Sequence, residues 1–70
     1  MNDIIEQAIA AIQLRRNEVL AERDAAHMSG DTVTKLVAEA RGAGLLEAKK
    51  ILLAIQLQAM EERIAQAKQP

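Results

Sequence analysis

The chain reads as an all-α protein on three observations. Half of its 70 residues are apolar, yet none is Phe, Tyr or Trp, so any core must be built from Ala, Ile, Leu, Val and Met through many small helix-to-helix contacts. Ala, Leu, Glu, Gln, Lys and Arg dominate, and these are the strong helix formers. The apolar residues recur at helical spacing along most of the chain. The pattern predicts one all-helical domain over residues 1–70, with helices at about 3–27, 32–41 and 45–67. The long C-terminal helix suits a helical-bundle dimer.

Asn2 or Asp3 can cap the first helix, with Glu6 placed to close a capping box from Asp3. Ile5, Ala8, Ile9, Ile12, Val19 and Ala26 then form its apolar stripe, which carries the helix to about Ala26 or His27. Arg15 and Arg16 fall between Ile12 and Val19, so one arginine lies on or beside the seam. Its stem either covers apolar surface while the head reaches water, or it forms an inter-helix ion pair that fixes register, with Glu18 or Glu22 as partners.

Met28-Ser29-Gly30-Asp31 is the clearest break. Gly30 suits a left-handed C-cap, and Asp31 or Thr32 starts the next helix. Val33, Leu36, Val37 and Ala40 give the second helix an i, i+3, i+4, i+7 stripe. Arg41 places a cation at its C-terminal dipole, and Gly42 follows as the C′ residue, with positive φ expected. The third helix begins near Leu45 and meets no breaker until Pro70. Its first half is apolar almost all round, from Leu45 and Leu46 through Ile51, Leu52, Leu53, Ile55 and Leu57, which predicts burial on more than one side. Its second half narrows to Leu53, Leu57, Met60 and Ile64, the spacing of a two-helix seam, and fraying is expected over residues 66–70.

A chain this short rarely gains more than about 3–5 kcal/mol from one core without a staple. There is no Cys for a disulfide, and His27 is the only imidazole, which leaves no ligand set for a structural zinc. Close packing and oligomerisation remain. At least a dimer is expected, with Leu53, Leu57, Met60 and Ile64 as the oligomer seam.

The same composition excludes several functions. Asp3 and Glu6 stand where a secretory signal needs positive charge, and the run Ile51–Ile55 is far too short to span a bilayer, so a cytoplasmic protein without membrane contact is expected. Nine basic and ten acidic residues give a net charge of −1, with no basic excess for phosphate. No catalytic, cofactor or metal site is expected, and no enzyme. His27 has no Ser, Cys or carboxylate cluster beside it to make it a general base, and Glu-x-x-His, the signature of a di-metal bundle, is absent. Ala38, Gly42 and Ala48 mimic the spacing of a DNA-binding helix-turn-helix. The would-be reading helix, Leu45 to Leu52, has only two cations and no Asn, Gln, Ser or Thr to meet base edges, which argues against nucleic acid.

Gly-Ala-Gly-Leu-Leu-Glu-Ala-Lys-Lys-Ile-Leu, at residues 42–52, resembles the helix-turn-helix of the amino-terminal domain of elongation factor Ts. It is also similar to the Gly-Leu-Gly-Leu turn in the carboxyl-terminal domain of the bacterial ribosomal stalk protein. Gly42 and Gly44 match the turn, Leu45 and Leu46 the apolar pair, Glu47 the acid, and Lys49 and Lys50 the basic pair; Arg41 replaces the family's Thr. The likeness covers about residues 33–52. It implies a binding module that docks on a translational GTPase, with Arg41, Glu47, Lys49 and Lys50 as the partner-binding residues.

The resulting expectation is a small non-enzymatic interaction module or regulator docking on a larger protein, possible targets being the transcription or translation machinery. A structural helical-bundle homo-oligomer and a small DNA-binding regulator are the alternatives.

Overall fold

A computed structural model describes the backbone of residues 2–68 and the side chains of residues 4–68. The chain is all-helical over this span, but it has two helices rather than three. α1 runs over Asn2–Ser29 and α2 over Thr32–Ala67. They form an antiparallel hairpin 63 Å long and 16 by 12 Å across. The side chains of Asn2 and Asp3, and so the expected capping box, lie outside the described residues, as do the last two residues of the expected frayed end.

The break at Gly30 is built from local chemistry. Gly30 has φ 76°, the left-handed conformation that glycine adopts without a Cβ penalty. Its N–H donates to the His27 carbonyl at 3.2 Å, and the Asp31 N–H donates to the Ala26 carbonyl at 2.9 Å. This pair of bonds is a Schellman motif, which satisfies the last carbonyls of α1. Asp31 then caps α2: its carboxylate accepts from the Thr34 N–H at 3.1 Å and from the Thr34 hydroxyl at 2.6 Å.

The expected second break, at Gly42, does not occur. α2 is continuous through Gly42-Ala43-Gly44, and Gly30 is the only positive-φ glycine among the described residues. The physical reason is a comparison of costs. Each glycine in a helix interior costs about 1 kcal/mol relative to Ala. Ending one helix and starting another there would orphan up to about eight backbone groups, each worth about 1 kcal/mol when paired. Ala43, Gly44 and Leu45 provide no capping side chain to recover them.

The two helices meet along heptad seams. On α1 the seam is Ile5, Ile9, Ile12, Arg16, Val19, Arg23 and Ala26, steps of four and three residues. On α2 it is Lys35, Ala38, Gly42, Leu45, Lys49, Leu52, Gln56 and Ala59, and all of these positions are buried or half-buried. Val19, Ala26 and Ala38 are the buried apolar residues among those described, so the core is narrow and made of small side chains. Gly42 is buried because a Cβ there would already stand 3.4 Å from Leu20 Cδ2. Two polar cross-links mark the register: Lys49 Nζ donates to Gln13 Oε1 at 2.7 Å, and Arg41 pairs with Glu22 at 3.2 Å. Leu20 opposite Gly42 and Gln13 opposite Lys49 set the start of α1 beside residue 60 or so. The rest of α2 overruns it.

Arg16 is the arginine on the seam. Its Nε is buried with no acceptor, while Arg15 turns outward and pairs with Glu18 at 2.9 Å.

Candidate interaction surface

The stripe expected to form the core of a second helix points the other way. Val33 is 73% exposed, and Leu36 and Val37 are more than half exposed. The inward residues of this segment are Lys35, Ala38 and Gly42, so the most hydrophobic side of the sequence is not the side that packs on α1. The inversion follows from helix geometry. Only a narrow strip of α2 can touch a single neighbouring helix, and α2 carries more apolar residues than that strip can hold.

Two apolar stripes therefore remain outside. The first is Val33, Val37, Ala40, Gly44, Ala48, Ile51 and Ile55. At about 100° per residue these fall within an arc of about 80° on a side of α2 turned away from α1. The second is Leu53, Leu57, Met60 and Ile64, each between 43% and 57% exposed. They share one face of the C-terminal half of α2, roughly 90° around the helix from the seam with α1 and opposite the first stripe. Apart from the half-buried Ala48, the members of both stripes are exposed.

Arg41, Glu47, Lys49 and Lys50 do not converge on one patch. Arg41 is tied to Glu22, and Lys49 lies half-buried in the seam against Gln13. Glu47 and Lys50 are exposed. At about 100° per residue the four are distributed around the helix. The backbone donors that a glycine turn would have exposed beside them are bonded within α2. Residues 42–52 are thus continuous helix, without the turn expected there. Nor do Ala38, Gly42 and Ala48 flank a turn, so no separate recognition helix is formed.

The chemistry available elsewhere is limited. His27 is exposed in the last turn of α1, where a cation is favoured by the helix dipole. With Ala26, Gly30, Asp31, Thr32 and Lys35 it borders an open recess of about 300 Å³ at the hairpin tip. The Asp31 carboxyl there is held below the usual carboxylate range, first by the Thr34 hydroxyl and then by the Thr34 N–H. Those bonds make it a cap for α2 and leave it poorly suited to accept a proton. No group of three His, Cys, Asp or Glu able to hold a metal occurs among the described residues, and no described helix is long and apolar enough to cross a membrane.

The outer apolar stripe on α2 is what the sequence reading missed. Its signal was present, since the spacings on the two sides of Gly44 run on in one phase, as they would not across a turn. Comparison with protein-family models, with curated proteins and with solved structures gives no match to this chain.

Proposed function

We propose that the chain is a non-catalytic protein-interaction module, a helical hairpin that docks on a larger protein through the C-terminal half of α2. One observation carries this reading. Leu53, Leu57, Met60 and Ile64 lie on a single face of the C-terminal half of α2, about half exposed, with Ile64 in the part that overruns α1. Each is already about half covered, so burying the rest against a partner is worth about half of the roughly 1.5–3 kcal/mol of full burial, and four in a row still support a specific complex. Glu61 and Glu62 are exposed beside them and would form a polar rim.

A photo-crosslinking amino acid at Leu57 tests the reading in cells. The expected result is an adduct with one defined protein, lost from a Met60→Glu, Ile64→Glu background. The same probe at Asn17, exposed on α1, should give no such adduct. Identical adduct patterns from Leu57 and Asn17 would overturn the assignment of this face.

A further inference from the structure

We infer that the outer stripe centred on Gly44 is a twofold interface, and that its occupant is a second copy of this chain in antiparallel register. The stripe is symmetric about Gly44 in its own sequence. Four residues to either side stand Ala40 and Ala48; seven to either side, the β-branched Val37 and Ile51; eleven to either side, the β-branched Val33 and Ile55. Four, seven and eleven are the offsets that keep an α-helical residue on one face. A twofold axis at Gly44 therefore sets Val37 against Ile51 of the second copy and Val33 against its Ile55. Small residues meet at the crossing and branched residues flank it. An isologous contact sets residue i against j and j against i, and like side chains at equal offsets from Gly44 make both halves of that contact alike in size and branching.

The helix is able to make this contact. Gly44 is exposed, has no positive φ, and has nothing within 4 Å of where a Cβ would stand, so its side of α2 is open for close approach. The stripe positions bear no charge, and a net charge of −1 sets little repulsion between copies.

The rod shape of the hairpin, 63 Å by 16 by 12 Å, leaves surface enough for such a contact. The chain exposes 5293 Å². A compact monomer of its 7.6 kDa mass exposes about 4,300 Å². The excess, about 1,000 Å² per chain, is close to the roughly 800 Å² that each partner hides in an interface of standard size. This pairing uses a different face from Leu53–Ile64, so either assignment can fail without the other.

The test uses the full chain. Val37→Lys and Ile51→Glu each place a charge on the stripe at an exposed side chain. Sedimentation should show the parent as a dimer at high micromolar concentration and each variant alone as a monomer. Mixing the two variants should restore the dimer, because the register sets the introduced lysine of one copy against the introduced glutamate of the other and leaves the opposite contact as in the parent. If either variant alone loses helicity, recovery of helicity on mixing reads the same contact. The chain has no cysteine, so Gly44→Cys adds a clean probe. It should oxidise to a covalent dimer at low micromolar concentration, while Ile64→Cys, far from the axis, should not. A monomeric parent overturns the inference. So does a parent dimer that survives both single variants, which would move the contact to another face. Two monomeric variants that stay apart on mixing refute the register.

Discussion

Replacing Gly42 with Ala distinguishes a continuous α2 from a chain that turns at residue 42, because the two predict opposite signs. In the hairpin Gly42 is inside a helix with φ in the ordinary helical range. Gly→Ala there gains about 1 kcal/mol from helix propensity. Against that gain stands one contact: the new Cβ lies 3.4 Å from Leu20 Cδ2, the near edge of van der Waals distance, against the rotatable end of a side chain. A loss of a few tenths of a kcal/mol leaves a net stabilisation of about 0.5–1 kcal/mol. For a domain of this size that raises Tm by roughly 3–6 °C. At a left-handed C-cap the same substitution would cost about 1 kcal/mol or more. Gly30→Ala, at φ 76°, provides that comparison within the same chain and should lower Tm by a similar amount. Thermal melts followed by circular dichroism, at equal chain concentration because association shifts Tm, measure both. If Gly42→Ala melts below the parent, the reasoning that places Gly42 inside an uninterrupted helix is refuted.

Other outcomes follow from the same geometry. Arg16→Leu should raise stability by about 1 kcal/mol in denaturant titration, since it removes a buried Nε that has no acceptor and adds apolar contact to the seam. Arg41→Ala should cost no more than about 0.5 kcal/mol, and less as salt rises, because its pairing with Glu22 is exposed. Asp31→Ala should lower Tm through loss of the α2 cap, with Asp31→Asn retaining most of it. The Asp31 carboxyl titrates below its ordinary value in the folded chain, so its contribution is complete above the ordinary carboxylate value and disappears as pH falls through the folded-state value. The Asn variant should lack that acid-side loss, and Thr34→Val should return the carboxyl toward its ordinary value, read by NMR titration.

Where the chain turns by local chemistry, the sequence was legible. Gly30 and Asp31 act through backbone conformation and a carboxylate within four residues, and the bonds they form are those their types imply. The α1 stripe was legible too, since Ile5, Ile9, Ile12, Val19 and Ala26 are both its most apolar seam residues and those that face α2. Gly42-Ala43-Gly44 was not. Two glycines look like a turn in isolation, and only the position of Gly42 against Leu20, twenty-two residues away, shows that the first of them lies in a helix–helix seam. The local sign against a turn is that no Ser, Thr, Asp or Asn follows them to start a helix. The inner face of α2 was the hardest part. It runs through Lys35, Gly42, Lys49 and Gln56, while Val, Ile and Leu occupy the outside, so hydrophobicity indicated the wrong side. Leu53, Leu57, Met60 and Ile64 were legible as one apolar stripe, expected there as an oligomer seam.

The tip at Gly30 also sets the order in which the molecule can form. Every contact between the two helices joins residues whose separation along the chain grows with distance from the tip. Closing Ala26 on Lys35 or Ala38 spans a short loop, and closing Ile5 on residues near 57 spans most of the chain. Each closure shortens the next, so the seam should zip outward from a tip that is already structured. Loop entropy rises only slowly with length, and contacts this local belong to fast-folding topologies. Substitutions near the tip, such as Ala26→Gly or Asp31→Ala, should then slow folding, while substitutions at the open end, such as Ile5→Ala, should mainly speed unfolding.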